Sequence, residues 1–490
     1  MKILMVSPEV APFSKVGGLG DMVGSLVKAL GRLGHDVRVV TPLYGSVKPS
    51  DERRERLSAL EVRLGGGHVE GARVWEEPIS STDSARVYFL EHWGYFSRPE
   101  IYAGPWGEHA DNSERFTFLS RAALDLCHAL KWYPDVVHCH DWTTGFVPVY
   151  LNTVDWNTPL GAAASVMTVH NLQHQGTFGR ESFAFSGLPW ETFRADGIEA
   201  LGNVNMLKGA LYHATKITTV SPNYAREVQT SAYGCGLDGV LRFRAGDLVG
   251  VLNGIDTEVW NPYRDRFLPL RYHADEMEGK VLCKESLQTH FDLTVDPTIP
   301  IFAAVARLYD QKGLDLLADI APGLVKDMRL QLVVLGAGDE ALENRFRELA
   351  AFYPRRIGVH IGYDEGLSHL VEAGSDFFVM PSRFEPCGLN QMYSMAYGTP
   401  PIVRATGGLV DTVEQYEEGT RKGTGFIFEE PSAAALYYAI GWANSTFYDR
   451  KADLAALRAN GMRKDFSWAN SARTYEKVYG WAKDARARGR

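Results

Sequence analysis

Three cations, two carboxylates and two glycine-containing turns carry the chemistry that this chain displays most openly. Lys15-Val16-Gly17-Gly18-Leu19-Gly20-Asp21 follows the apolar run Ile3–Val6. A strand that ends in a glycine-rich turn and opens a helix brings bare backbone N–H groups up to a phosphate. Gly17, Gly18 and Gly20 lack the Cβ atoms that would hold a ligand away. Lys15 adds a mobile cation and Asp21 an anion, so one loop can meet both a phosphate and a sugar hydroxyl. Farther along, Arg307 and Lys312 stand five residues apart on a post-strand loop. A planar guanidinium and a point-charge ammonium at that spacing can converge on one diphosphate. In Pro381-Ser382-Arg383-Phe384-Glu385-Pro386-Cys387-Gly388-Leu389-Asn390-Gln391, a small-residue turn leads into a helix. Glu385 then sits beside a helix N-terminus whose N–H groups, at Cys387, Gly388 and Leu389, can take an anion. Such a carboxylate is placed to bind sugar hydroxyls or steady a positively charged sugar ring.

Each signal has a plainer reading. Gly18, Gly20 and Gly24 form a loose G-x-G-x-x-x-G, which serves equally for tight helix–sheet packing. Arg307 and Lys312 fit a solvated basic loop, and Glu385 fits a helix cap. Cys387 has no base and orienting group beside it in sequence, so a nucleophile role is not indicated. His138-Cys139-His140-Asp141 lies at a strand end, where successive side chains face opposite ways and cannot all reach one ion. His170 and His174 have the i, i+4 spacing of a zinc protease without its glutamate. No metal site is expected. Aromatics edged with polar groups (His92–Phe96, Tyr102–Trp106, Asp141-Trp142) suit either pyranose rings or ordinary core.

The elements that position these groups follow a βαβ rhythm. Short β-branched runs alternate with longer amphipathic stretches, the pattern of parallel sheets. Strands are expected at 2–6, 36–41, 86–90, 135–138, 165–169, 216–220 and 248–252, then at 301–306, 330–335, 357–361, 376–380, 401–404 and 425–428. Residues 50–85 alternate weakly and carry many charges, as edge strands or loops do. The break near residue 255 predicts two Rossmann-like α/β domains, 1–250 and 255–466, facing each other across a cleft. The aromatic helix at 467–490 is expected to pack back on the first.

Composition narrows the function classes. At 490 residues, with 45% hydrophobic and 23% charged residues, the chain has core material for two to three domains. A formal charge of −9 argues against nucleic acid or an anionic membrane as the main partner. Five scattered cysteines without a C-x-x-C pair give neither a disulfide framework nor a structural zinc site. No apolar run reaches transmembrane length, and the N-terminus lacks the form of a signal peptide. A cytoplasmic protein is expected.

In these residues the chain resembles bacterial glycogen synthases and plant starch synthases, retaining glycosyltransferases of the two-Rossmann-domain GT-B type. The likeness runs through Pro8–Pro12, Lys15–Asp21, Val137–Trp142, Thr168–Leu172, Asn253–Asp256, Arg307–Gly313, Gly362-Tyr363, Pro381–Leu389, Thr406–Val413 and Asp465–Trp468. The resemblance implies transfer of glucose from ADP-glucose to the non-reducing end of an α-1,4-glucan, with retention and with neither metal nor cofactor. It implies that Arg307 and Lys312 neutralise the departing diphosphate, and that Glu385 holds the donor sugar and favours an oxocarbenium-like transition state. His170 contacts the sugar near the reacting centre. Lys15, Gly18 and Asp21 meet the donor from the first domain, and Asn253, Tyr363, Cys387, Gly388 and Leu389 complete its binding. Glu9, Tyr95, His140 and Trp142 are the acceptor candidates. The departing phosphate is expected to help take the acceptor proton, because no second carboxylate is placed as a nucleophile. Many retaining GT-B enzymes carry a second glutamate eight residues after the first, where this chain has Tyr393, a departure shared with the glycogen and starch synthases. The partners implied are ADP-glucose and a glycogen or maltooligosaccharide chain, with self-association left open.

Three rivals stand beside this reading. A nicotinamide dehydrogenase should end the strand 36–41 in an acidic residue, and here it runs into Thr41-Pro42. Another retaining GT-B transferase would use UDP-glucose. A non-catalytic glucan-binding protein on the same scaffold should have lost some of Lys15, His170, Arg307, Lys312 and Glu385, all of which are present.

Overall fold

The structure, a computed structural model, describes residues 1–79, 85–104 and 107–489. Trp106 and the end of the charged segment at 80–84 therefore lie outside the described residues, as does residue 490. The chain divides into two compact units, Met1–Asn253 with Trp468–Arg490, and Gly254–Ser467.

The first unit is built on nine strands: β1 (Lys2–Val6), β2 (Asp36–Pro42), β3 (Arg54–Arg63), β4 (Val69–Pro78), β5 (Ala85–Glu91), β6 (Val136–His140), β7 (Ala164–Val169), β8 (Lys216–Thr219) and β9 (Leu248–Gly250). They lie in the order β9-β8-β7-β6-β1-β2-β5-β4-β3. The strands from β9 to β5 pair in parallel, while β4 pairs antiparallel with both β3 and β5. Sequence and burial agree with that division. β6 and β7 are buried at every residue, as strands covered on both faces must be, whereas the charged β3 is exposed along much of its length. The charged segment after residue 50 thus forms the antiparallel edge of the sheet. The order reverses at β1, and the glycine-rich loop follows β1. This is where an open α/β sheet leaves a crevice for a ligand.

The second unit carries six strands: β10 (Ile301–Val305), β11 (Gln331–Gly336), β12 (Ile357–Ile361), β13 (Phe377–Met380), β14 (Pro401–Arg404) and β15 (Phe426–Phe428). Their order is β12-β11-β10-β13-β14-β15, all parallel. β10 and β13 are neighbours on either side of the reversal, so the loops that follow them emerge side by side. The close approach of these loops requires Gly313, at φ +64°, where a Cβ would overlap the Pro381 carbonyl oxygen.

The helix Trp468–Arg488 packs on the first unit. Its Glu476 carboxylate lies 3.1 Å from His35 Nε2, and Arg486 donates to Asn152 Oδ1 at 2.6 Å. No helix among the described residues is long and apolar enough to cross a membrane.

Candidate active site

The loops after β10 and β13 enclose a cavity of about 170 Å³ in the second unit. Arg307, Lys312, Glu385, Gly388 and Leu389 line it together with Ser382 and Asn390. Lys312 Nζ donates to Glu385 Oε2 at 2.6 Å, and Ser382 Oγ donates to the same oxygen at 3.1 Å. The side chains of Lys312 and Glu385 are only 20% and 7% exposed, so the charges face the cavity rather than open water. Arg307 is exposed, its guanidinium 5.9 Å from the Tyr309 ring centroid. Glu385 is thus a buried carboxylate within reach of a cavity that carries two cations. That arrangement can neutralise a diphosphate and still present an anion to a sugar.

The turn carrying Cys387, Gly388 and Leu389 differs from the sequence reading in one respect. The helix begins only at Asn390, with Leu389 as its N-cap. Gly388, at φ +72°, delays it, and the Gln391 side chain donates back to the carbonyls of Cys387 and Gly388. Cys387 is buried. Behind this turn, the N–H of Gly408 donates to the Glu385 carbonyl at 3.1 Å. Gly407 sits at φ +45°, and a Cβ there would overlap that same carbonyl oxygen. Gly407→Ala is therefore expected to cost about 2 kcal/mol of stability from left-handed strain and overpacking. It should also shift Glu385 and reduce turnover. Denaturant unfolding and a rate assay on the same sample check both effects; an unchanged rate would mean that this loop does not set the carboxylate.

Tyr363 follows β12 at Gly362 and is 81% exposed, an uncovered aromatic face. Its neighbourhood differs from that of Tyr393, whose ring stacks on Trp260 at 3.8 Å between centroids.

In the first unit, Glu9 is buried beneath the glycine-rich loop. Its carboxylate accepts from the N–H groups of Val16 at 2.6 Å and Gly17 at 3.2 Å, and from the Tyr102 hydroxyl at 2.5 Å. Burial raises its pKa above the usual carboxylate range, against the lowering effect of these bonds. The structure therefore gives Glu9 the task of shaping the loop. Lys15 pairs with Asp21 at 3.1 Å, with both side chains well exposed. Such surface pairs are worth roughly 0–1 kcal/mol. Gly18 opens the helix Gly18–Arg32. The glycines divide in role: nothing lies near a Cβ on Gly17, whereas one on Gly20 would meet Lys15 Cβ at 2.7 Å and one on Gly24 would overlap the Ala11 carbonyl. Packing thus explains Gly20 and Gly24 and does not require a glycine at position 17.

Three histidines gather at the ends of β6 and β7. The rings of His138 and His140 lie 4.2 Å apart, and His140 Nδ1 is 3.1 Å from His170 Nε2. His138 Nδ1 reaches the Tyr479 hydroxyl at 2.8 Å, and its Nε2 reaches Thr168 Oγ1 at 2.6 Å. Burial lowers the pKa of His138 and of His170 to about 3, and that of His140 well below the usual value. All three are neutral at physiological pH. Asp141, at φ +55°, accepts from the His170 N–H at 2.7 Å, and burial raises its carboxyl to about 7. The His170–His174 segment is a turn, not a helix, so the i, i+4 spacing has no shared face. Among the described residues, no group of three or more His, Cys, Asp or Glu is placed to hold a metal ion.

His140 is fully buried, its Nε2 without a hydrogen-bond partner. Trp142 is half-buried, edge-on to Phe116 at 5.0 Å. Tyr95 stacks on His92 at 4.2 Å. Asn253, the last residue of the unit's first segment, is buried with Oδ1 unpartnered, a carbonyl available to a ligand donor. Sequence reasoning passed over Ser382, Asn390 and Thr168. A hydroxyl three residues before Glu385 was the visible signal for Ser382; nothing local marks Thr168.

Residues 2–243 match the family model described as starch synthase catalytic domain, and residues 286–445 match glycosyl transferases group 1. Glycogen synthase 1 of Geobacter sulfurreducens is 49% identical over 98% of this chain and 96% of its own length. Glycogen synthase of Treponema denticola is 43% identical, covering 99% of each chain. Among solved structures, the catalytic domain of Starch Synthase IV from Arabidopsis thaliana, bound to ADP and acarbose, matches with a TM-score of 0.90 and 33% identity, over 98% of this chain and 99% of that one. Sucrose-phosphate synthase from Thermosynechococcus elongatus shares the fold at a TM-score of 0.61 and 19% identity, over 98% of each chain. With such identity along almost its entire length, the chain belongs to the glycogen and starch synthase family of glycosyltransferases, with the GT-B fold.

Proposed function

We propose that this enzyme transfers glucose from ADP-glucose to the non-reducing end of an α-1,4-glucan, with retention of configuration. The observation that carries the reading is the second-unit cavity in which Arg307, Lys312 and Glu385 come together. Arg307 and Lys312 take the negative charge that develops on the leaving diphosphate, an electrostatic stabilisation of the transition state. Lys312 and Ser382 both donate to Oε2 of Glu385, so Oε1 is the oxygen offered to sugar hydroxyls and to the developing oxocarbenium charge. Gly388 and Leu389 line the diphosphate end beside Cys387, and the exposed Tyr363 ring stacks on the base. From the first unit, Lys15, Gly18 and Asp21 meet the donor, Asn253 Oδ1 accepts from it, and His170 contacts the sugar as a neutral imidazole. Tyr95 and Trp142 are assigned to the acceptor, with Glu9 and His140 supporting it from beneath the surface. Glu385 is the one carboxylate among the described residues that line the cavity. The acceptor proton therefore passes to the leaving phosphate on the same face, and no glucosyl–enzyme ester forms. Trapping such an ester on a carboxylate would overturn this route.

A glucan acceptor and a nucleotide-sugar donor fit a cytoplasmic enzyme. The test is chain extension of a maltooligosaccharide primer by the purified protein with ADP-glucose or UDP-glucose, without added metal. Extension with ADP-glucose is expected. Extension with UDP-glucose alone would transfer the reading to that donor, and extension with neither would refute it.

A further inference from the structure

The second unit holds another cavity, of about 260 Å³, that plays no part in the chemistry above. Lys280 and Lys284 reach it from the helix Glu278–His290, Lys451 and Arg458 from the helix Lys451–Met462, and Phe447 and Asp376 complete the polar and aromatic lining. The spacings i, i+4 and i, i+7 bring each pair to one helix face. Four cations thus share one carboxylate. Asp376 is already saturated: Lys284 stands 2.7 Å and Arg458 2.6 Å away, and the Ile301 N–H donates to it at 2.9 Å.

The remaining charge is poorly matched. Lys280, almost fully buried, finds only neutral acceptors, the carbonyls of Ala373 at 2.8 Å and Tyr397 at 3.1 Å and the Thr399 hydroxyl at 2.6 Å. Lys284 donates to the Pro297 carbonyl at 2.9 Å besides Asp376, and the ammonium groups of Lys284 and Lys451 lie 5.0 and 5.7 Å from the Phe447 ring centroid. Arg458 Nε is buried with no hydrogen-bond partner. Glu372, also buried with one oxygen unpartnered, is not among the residues that line this cavity, and burial pushes its carboxyl well up. Burial, and then the nearby Arg458, lower Lys280 to about 7, a sign of how strongly the cations here oppose one another. Like charges gathered at a partly buried site are costly unless a counter-charge joins them.

We propose that this cavity binds a phosphate group, as inorganic phosphate or a small phosphomonoester, at a site separate from the donor cavity. A tetrahedral dianion matches the surplus of cations over carboxylate and offers acceptors to Arg458 Nε, Lys284 and Lys451. Phe447 and the neighbouring apolar wall take a small organic body. Lys280 also holds the carbonyl of Tyr397, the residue that closes the helix Asn390–Ala396, whose first residue lines the donor cavity. A change of charge at the phosphate site is therefore one hydrogen bond from that helix.

The test is calorimetric. The full chain is first titrated with ADP, then, saturated with ADP, with inorganic phosphate and separately with glycerol 3-phosphate at constant ionic strength. One saturable site per chain is expected, weakened at least tenfold by Lys451→Glu and by Arg458→Gln with the ADP titration unchanged. Lys451 is exposed, so its variant keeps the fold even if Arg458→Gln does not. Tighter binding of glycerol 3-phosphate supports an organic ligand, and tighter binding of phosphate supports the free ion. No saturable binding of either probe, or the wild-type affinity in Lys451→Glu, overturns the proposal. Failure of ADP to bind would count against the donor reading alone.

Discussion

Glu385→Ala is expected to lower kcat by about 10²–10³-fold, the loss seen when a group aimed at developing charge is removed. The fold should survive, because Lys312 keeps enough exposure for water to replace its partner. Lys312→Ala should fall in the same range, since the ammonium acts on the leaving diphosphate while holding the carboxylate in place at 2.6 Å. Residues in direct contact lose their effects non-additively, so the double variant should be only slightly slower than the worse single one. Steady-state rates at saturating primer, together with circular dichroism to confirm folding, decide the matter. Near-normal turnover in both single variants would place the site elsewhere.

Acid should destabilise the first unit steeply, and Asp141 should blunt that effect. His138, His140 and His170 have folded pKa values far below the usual 6.5. The unfolded chain takes up three protons there as pH falls through 6.5, and the folded chain does not, so stability present above that pH is lost below it. Asp141 works the other way. Its folded value near 7 exceeds the ordinary 3.8, so the folded state binds one proton more between these limits, and stability from this group falls as pH rises. Three histidines against one aspartate leave a net two protons, or roughly 2.7 kcal/mol per pH unit between about pH 4 and 6.5. Asp141→Asn keeps an oxygen for the His170 N–H and removes the opposing titration. Its acid loss should therefore steepen by about 1.4 kcal/mol per pH unit. Urea unfolding at successive pH values, wild type against variant, measures the difference, and all other titrating groups cancel. Equal slopes would show that Asp141 is ionised throughout the range.

Much of this architecture was legible because parallel strands are buried on both faces. Runs such as Ile301–Val305 and Phe377–Met380 stand out as apolar segments between polar turns, and the strands fall where those runs lie. The end of β9 was less so: Gly250, pressed against Pro222 where a Cβ would overlap, ends the strand before Leu252. The meeting of Lys312 with Glu385 follows from two loops leaving adjacent strands, which a linear pattern only suggests. Glu9 shows the limit more sharply. Its sequence neighbours give no sign that its carboxylate lies under a loop seven residues on, bound also to Tyr102. Likewise, the contact of His138 with Tyr479 joins residues 341 positions apart, and no local propensity encodes it.

That contact also orders events during synthesis. The first unit is discontinuous: its sheet is made from residues before 254, yet the helix Trp468–Arg488 that covers it is translated only after the whole second unit. Until then His138 lacks its Tyr479 partner and His35 lacks Glu476. Gly254–Ser467, contiguous in sequence, can finish first. Although domains usually fold in order from the N-terminus as the ribosome delivers them, here the nascent chain must hold its first sheet incomplete while the later unit closes. A stop codon before residue 468 would thus disable the beginning of the protein rather than its end.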